Sequence, residues 1–114
     1  MDRKKVLIID DEVDFCLLMQ FYLTKKNCEV SISHTLQEGM GIFNSTDQDI
    51  IILDNNLPDG LGWPAAENIL QTQPKVQLFL ISANKPSNRP NINNPHFHIV
   101  EKPISIMQID NFLK

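Results

Sequence analysis

The stretch Ile50-Ile51-Ile52-Leu53-Asp54 is a run of four aliphatic residues that ends in an acid. It lacks the alternating polar residues of a half-exposed strand, which is typical of a strand buried on both faces of a sheet. Such strands occur mainly in parallel sheets that are covered by helices on each side. Residues 49–54 therefore predict a central strand with Asp54 at its carboxyl end.

Three further apolar runs along the chain are also followed by polar residues. They are residues 6–9 before Asp10 and Asp11, residues 76–81 before Ser82, and residues 97–100 before Glu101, Lys102 and Pro103. In an open parallel sheet, ligands bind beyond the carboxyl ends of the strands. The acids, the serine and the lysine are therefore predicted to meet at one edge of the sheet.

Helical patterns separate the predicted strands. Helices are predicted over residues 12–26, 63–72 and 104–113, and another after Thr35, where Thr35 and Glu38 match a capping box. A weaker strand around Val30 and Ile32 lies between the first two helices. The alternation of strands and helices predicts one α/β domain over residues 1–114, with right-handed crossovers between parallel strands.

One segment interrupts this alternation. Between Ser82 and Phe97 a helix is expected, but residues 84–95 contain three prolines and five asparagines. An interior proline costs about 3 kcal/mol in a helix. We therefore predict that the fourth helix is shortened or replaced by a loop rich in proline and asparagine.

The composition limits the class of protein. The formal charge of −4 and the pI of about 5.2 argue against a nucleic-acid-binding surface, which needs clustered basic residues. Cys16 and Cys28 are too few for a disulfide scaffold and are interpreted as reduced core residues. No signal peptide and no apolar run of about 20 residues is present, so we expect a cytoplasmic protein without membrane contact.

Taken singly, each polar residue at the strand ends has a structural explanation. Asp10 and Asp11 could begin the first helix, where acids interact favourably with the helix dipole. Asp54 could be a turn residue, and Lys102 could be a solvated surface lysine. Their occurrence together, in this order, favours a functional site instead.

The ordered set resembles the receiver domain of two-component response regulators, over essentially the whole chain. The resemblance depends on Asp10-Asp11, on Asp54 with Leu57-Pro58-Asp59-Gly60, on Ser82-Ala83 and on Lys102-Pro103. It implies a doubly wound, CheY-like sheet of five parallel strands in the flavodoxin order 2-1-3-4-5, with helices on both faces.

The resemblance also implies a role for each site residue. Asp54 would accept a phosphoryl group, and Lys102 and Ser82 would contact its oxygens. Mg²⁺ would be bound by Asp11, Asp54 and the backbone carbonyl of Asn56, with Asp10 acting through a water. The peptide bond before Pro103 is usually cis in the family.

The resemblance further implies the partners and a signalling role. The phosphoryl donor would be a sensor histidine kinase or a phosphotransfer protein, and the recipient of the signal a downstream effector domain or protein. No turnover of an external substrate is expected. A homodimer stays an open alternative, because many receivers dimerise through a surface that includes the fourth helix.

Two departures from the family pattern affect how the signal would leave the site. Receivers often carry an aromatic switch residue three positions before the lysine, and this position is Ile99. Phe97, two residues earlier, is predicted to point to the same face of the strand. The second departure is the disrupted fourth helix.

Two other functions remain open from the sequence. One is a degenerate receiver that acts as a phosphorylation-independent interaction module, which the disrupted helix and Ile99 favour. The other is a Mg²⁺-dependent phosphohydrolase with Asp54 as nucleophile. Such enzymes usually carry a second acid two residues after the nucleophile, where this chain has Asn56.

Overall fold

The computed structural model describes residues 3–83 and 92–113 of the chain. The elements in these ranges confirm the predicted alternation of strands and helices. The strands are Lys4–Ile9 (β1), Cys28–Ser33 (β2), Ile50–Asp54 (β3), Asn56–Leu57 (β4), Gly60–Leu61 (β5), Gln77–Ser82 (β6) and Phe97–Glu101 (β7). The helices are Val13–Lys25 (α1), Leu36–Ser45 (α2), Gly62–Thr72 (α3) and Ile106–Phe112 (α4).

Five of the strands form one parallel sheet in the order β2-β1-β3-β6-β7. Counted along the chain, these five strands have the expected order 2-1-3-4-5. The central strand β3 is buried at all five positions, as its unbroken apolar run predicted. Its register places Asp54 beside Ile81 of β6.

The core lies on both faces of the sheet because successive strand residues point to opposite sides. Val6, Ile8, Ile50 and Ile52 belong to the cluster that also contains the inner faces of α1 and α4. The intervening residues of the same strands belong to the cluster that contains α2 and α3; these are Leu7, Ile9, Ile51 and Leu53. Burying each such side chain contributes about 1.5–3 kcal/mol.

The predicted capping box at the start of α2 forms only in part. The Thr35 hydroxyl accepts a hydrogen bond from the Glu38 N–H at 3.1 Å, as predicted. The Glu38 carboxylate, however, accepts from the N–H of His34 at 3.3 Å instead of that of Thr35. A complete capping box occurs at the start of α4, between Ser105 and Gln108.

The ends of other elements also follow from their residues. Asn27, which directly follows the predicted first helix, has a φ of 65°, a left-handed conformation that asparagine tolerates well. The segment after Asp54 that contains Leu57-Pro58-Asp59-Gly60 forms a small antiparallel hairpin of β4 and β5. Gly60 in this hairpin has a φ of 148°, a backbone conformation that residues with a side chain rarely adopt.

Most of the segment predicted to lack a helix lies outside the described residues, which resume at Ile92. Residues 92–94 have no regular structure, and Pro95 and His96 form a turn before β7. Within the described ranges, no helix combines the length and the apolar character that crossing a membrane requires.

Candidate functional site

The ends of β1, β3 and β6 bring three of the predicted site residues to one edge of the sheet. Asp10 directly follows β1, and its N–H donates to the Ser33 carbonyl at 3.0 Å. Asp54 and Ser82 are the last residues of β3 and β6, and both are buried. The predicted convergence of these strand ends is confirmed.

Three carboxylates form a cluster at this edge. One oxygen from each of Asp10, Asp11 and Asp54 lies within 4.8 Å of the others. Burial raises the pKa of Asp10, although the hydrogen bond from the Glu12 N–H partly opposes this. Burial and the charge of Asp10 raise the pKa of Asp54 from 3.8 to about 6. Among the described residues, the positive charge near the cluster therefore does not offset the burial and mutual repulsion of these acids.

The cluster fits a hard divalent cation. Asp10 Oδ2 is buried and has no hydrogen-bond partner among the described residues. The oxygens of Asp11 and Asp54 converge on the same volume, and Asp11 is exposed to solvent. Carboxylates together with retained waters are the ligands that Mg²⁺ prefers. Such an ion would satisfy Asp10 Oδ2, and the three residues offer it only oxygen ligands.

Lys102 extends into the site from the loop that follows β7. Its ammonium lies 3.6 Å from Asp10 Oδ2 and 3.7 Å from Asp54 Oδ1, and it donates to Glu12 Oε1 at 2.8 Å. Burial acts to lower the pKa of Lys102, but the hydrogen bond to Glu12 and the nearby acids outweigh it and raise the pKa. Among the described residues, Lys102 is therefore a cation that faces the acid cluster.

Backbone hydrogen bonds hold the surrounding loops in place. The Lys102 backbone N–H donates to the Ser82 carbonyl at 2.8 Å, which links the end of β6 to the loop that follows β7. The Lys102–Pro103 peptide bond is cis, as the resemblance implied. The Asn56 N–H lies 3.4 Å from Asp54 Oδ1, so the residue expected to supply a carbonyl ligand is adjacent to the nucleophile candidate.

A cleft of about 420 Å³ lies beside Lys102. It is lined by Glu12, Phe15, Ala83, Lys102, Pro103 and Ile104. The Lys102 ammonium lies 5.8 Å from the centre of the Phe15 ring, a cation–π contact. Most of this lining is apolar, and Glu12 and Lys102 are its charged residues.

The position of the usual aromatic switch is occupied by an aliphatic core residue. Ile99 and Phe97 pack against the same core cluster, which confirms that they share one face of β7. Val100 packs against the opposite cluster. An aromatic ring is thus present on the expected face, but two residues before the expected position.

The contacts of three residues in or beside the site were not predicted from the sequence. Glu12 contacts Lys102, His34 donates from Nδ1 to the Asp10 carbonyl at 2.9 Å, and Asp59 accepts from the N–H groups of Leu36 and Gln37. Glu12 and His34 carried no distinguishing signal. Asp59 lies in the motif Leu57-Pro58-Asp59-Gly60. The predicted cap at Thr35 was a signal that a helix with free N–H groups begins beside it, at Leu36 and Gln37.

Several other side chains have structural roles, and the interpretation of Cys16 and Cys28 as core residues is confirmed. Cys16 and Cys28 are buried free thiols. Trp63 packs against the core at the start of α3, and its backbone N–H donates to Asn55 Oδ1. His96 and His98 lie at the sheet edge, and both hydrogen-bond to the Gln77 amide.

Comparisons with known proteins agree with this geometry. A family model described as response regulator receiver domain matches residues 6–114. Response regulator protein PilR of Pseudomonas aeruginosa is 29% identical over 83 residues, which are 73% of this chain and 19% of PilR. The chain spans about a fifth to a third of the length of the curated relatives it matches.

Solved structures show the same fold. A CheY-like receiver domain protein from Methanospirillum hungatei has a TM-score of 0.84 at 17% identity, covering 98% of this chain and 91% of that one. The response regulator TrrA from Thermotoga maritima, solved in complex with Mg²⁺-BeF, has a TM-score of 0.82 at 22% identity, covering 96% of each chain. At these identities the likeness establishes the fold alone.

Proposed function

Because the chain belongs to the response regulator receiver domain family, we propose that it is a phosphorylation-dependent signalling switch whose phosphoacceptor is Asp54. The observation that carries this proposal is the convergence of Asp10, Asp11, Asp54 and Lys102 at one sheet edge. The family works as a signalling switch and not as a metabolic enzyme, and the assignment of residues to roles is our own.

In the proposed reaction, a carboxylate oxygen of Asp54 attacks the phosphorus of the donor. A new O–P bond forms as the bond from phosphorus to the donor's nitrogen or oxygen breaks, and the leaving group keeps that electron pair. Asp54 is the last residue of β3, so its carboxylate lies at the strand end where Asp10, Asp11 and Lys102 converge. Such transfers need alignment and charge neutralisation more than covalent help.

Mg²⁺ would be held by Asp11, Asp54 and the Asn56 carbonyl, with Asp10 acting through a water, and when bound it neutralises charge on the phosphoryl oxygens. The chain's own residues supply the rest. Lys102 lies 3.7 Å from Asp54 Oδ1 and would pair with a phosphoryl oxygen from the other side. Ser82, at the end of the adjacent strand, would donate a hydrogen bond to another oxygen.

The phosphoryl group would alter the loops after β6 and β7. It brings a charge of about −1.5 to −2 and new acceptor oxygens. Movement of Ser82 toward these oxygens would be transmitted to Lys102, because the Lys102 N–H is bonded to the Ser82 carbonyl. The change at these two loops would then alter partner binding.

The partners we propose are those implied by the family. A sensor histidine kinase or a phosphotransfer protein would donate the phosphoryl group, and an effector domain or protein would read the signal. We propose a cytoplasmic location, where such donors act. The curated relatives are longer than this chain, so their whole activities enter only as proposals.

The proposal is tested by intact-mass spectrometry after incubation with acetyl phosphate and Mg²⁺. The wild-type protein should gain the mass of one phosphoryl group, and the gain should disappear with EDTA. Asp54→Asn should not gain it, because the amide is not a nucleophile. Asp47→Asn is the matched control, since it removes an exposed acid from the loop before β3 and should be phosphorylated like wild type.

Failure of the folded wild-type protein to gain mass from acetyl phosphate and from phosphoramidate would reject the phosphoacceptor role. The interaction-module alternative would then be favoured. A gain that persists in Asp54→Asn would place the modification on another residue and would equally reject the assignment.

A further inference from the structure

Glu12 holds the lysine of the site although it has no role in the proposed transfer. The Lys102 ammonium donates to Glu12 Oε1 at 2.8 Å, whereas its distances to Asp10 Oδ2 and Asp54 Oδ1 are 3.6 Å and 3.7 Å. The last two exceed hydrogen-bonding distance. Lys102 is therefore bonded to the acid at the rim of the pocket and not to those inside it.

Glu12 is suited to a temporary contact. It occupies the N-cap position of α1, and its N–H donates to Asp10 Oδ1 at 2.9 Å, so its backbone is tied to the acid cluster. Its side chain is 61% exposed, against 1% for Asp10 and 6% for Asp54. Because this end of the ion pair lies in solvent, the Glu12 carboxylate can turn into water at little cost.

A phosphoryl group on Asp54 would compete with Glu12 for Lys102. It would bring at least one additional negative charge to a position near the Glu12 carboxylate. We propose that Glu12 is a positioning residue that restrains Lys102 before phosphorylation and is displaced by the phosphoryl group. Glu12 thereby lowers the affinity of the pocket for that group. This inference rests on the proposed function.

The contact between Glu12 and Lys102 has the opposite effect on Mg²⁺, because it raises the affinity of the pocket for that ion. While Glu12 holds Lys102 at the rim, the positive charge of the ammonium is shared with an acid outside the cluster. Without Glu12, that charge is directed at Asp10 and Asp54 alone, where it competes with Mg²⁺. Loss of the Glu12 charge should therefore weaken Mg²⁺ binding and strengthen phosphoryl binding.

The test uses Glu12→Gln, which keeps the length of the side chain and removes its charge. Mg²⁺ affinity is measured by calorimetry. The affinity for beryllium fluoride, a phosphoryl analogue, is measured at saturating Mg²⁺ from the fluorescence of Trp63. We expect Mg²⁺ to bind about two- to five-fold more weakly and beryllium fluoride more tightly by a similar factor, as the loss of an exposed pair would give.

Asp14→Asn is the matched control, because Asp14 is an exposed acid in the first turn of the same helix. It should leave both affinities as in wild type. Both affinities weakening together in Glu12→Gln would indicate a structural defect and overturn the inference, as would no change in either. If the wild type takes up neither beryllium fluoride nor a phosphoryl group, the proposed function fails first and the inference with it.

Discussion

Gly62 connects the backbone of the site to the helix that follows it. A Cβ at this position would lie 2.4 Å from the Asp54 carbonyl oxygen and 3.1 Å from the Asn55 Cα. Both neighbours are backbone atoms, which cannot move aside without displacing the strand end. We predict that Gly62→Ala lowers the free energy of unfolding by about 1–3 kcal/mol, as overpacking does, and weakens Mg²⁺ binding.

Urea unfolding and Mg²⁺ calorimetry measure these two effects. Gly41→Ala is the control, because a Cβ there meets nothing within 4 Å and the position is inside α2. It should stabilise the protein by about 0.5–1 kcal/mol. Gly62→Ala with unchanged stability and affinity would show that the close approach is not restrictive.

The raised pKa of Asp54 predicts a pH dependence of stability. Its pKa is about 6 in the fold, against a usual value of 3.8, so the fold favours the protonated acid. The favourable contribution is complete below the usual value and is lost as the pH rises through about 6. In EDTA at pH 7, Asp54→Asn should therefore be more stable than wild type by about 1–3 kcal/mol.

Urea unfolding at several pH values between 4 and 8 tests this. The difference between Asp54→Asn and wild type should grow with pH across the window and vanish at the acid end. A constant difference would mean that the amide changes packing or hydrogen bonding and that the ionisation of Asp54 costs the fold nothing.

Single residues also show where the sequence was informative and where it was not. Asp10, Asp54 and Ser82 could be placed because each ends an apolar run, and a parallel sheet brings such ends together. The partner of Lys102 could not be placed, since Glu12 is 90 residues away and long side chains select partners only in the folded structure. An acid at a helix start has an ordinary local explanation.

At the scale of elements, Asp59 links the hairpin after β3 to the start of α2. Its carboxylate oxygens accept from Leu36 N–H at 2.8 Å and Gln37 N–H at 2.9 Å, and these hydrogen bonds lower the pKa of Asp59. We predict that Asp59→Ala destabilises the first turn of α2. In the variant, amide hydrogen exchange should then be faster than in wild type at Leu36 and Gln37 and unchanged in the distant α4.

The lowered pKa of Asp59 determines how the contribution of this contact to stability depends on pH. Its contribution is present above the usual pKa of 3.8 and is lost as the pH falls through the lower folded value. Asp59→Ala should therefore differ from wild type at neutral pH and approach it in strong acid. A difference that persists in strong acid would assign the effect to packing.

Element types were predicted well because the apolar runs and helical stripes are local. The half-formed box at Thr35 was predicted as complete, since sequence spacing cannot tell which N–H the Glu38 carboxylate will accept from. The box at Ser105 was missed although Ser105 and Gln108 have the required spacing. The hairpin strands are only two residues long, too short for a period to be visible.

For the whole molecule, the acid cluster predicts coupling between cation binding and stability. Ligand that binds only the folded state adds about 2.7 kcal/mol at a hundred times its dissociation constant. Mg²⁺ should therefore raise the melting temperature of wild type. Asp11→Asn should lose this increase while unfolding like wild type in EDTA, because Asp11 is exposed.

Sodium chloride at equal ionic strength is the control for salt effects in that experiment. A melting temperature that Mg²⁺ raises equally in Asp11→Asn would mean that the ion acts elsewhere on the surface. The sequence predicted this cluster as a group, but the burial that orphans Asp10 Oδ2 is a property of the assembled sheet.

The strand order has a consequence for synthesis on the ribosome. β1 pairs with β2 on one side and with β3 on the other, with Val6 opposite both Val30 and Ile50. A nascent chain that ends before residue 50 can form the first pair but leaves the other side of β1 without a neighbour. Such an edge is apolar and open to pairing with other chains. The pairing of β1 with β3 covers this edge and brings Asp10 close to Asp54. Both therefore require that the segment through residue 54 has left the exit tunnel.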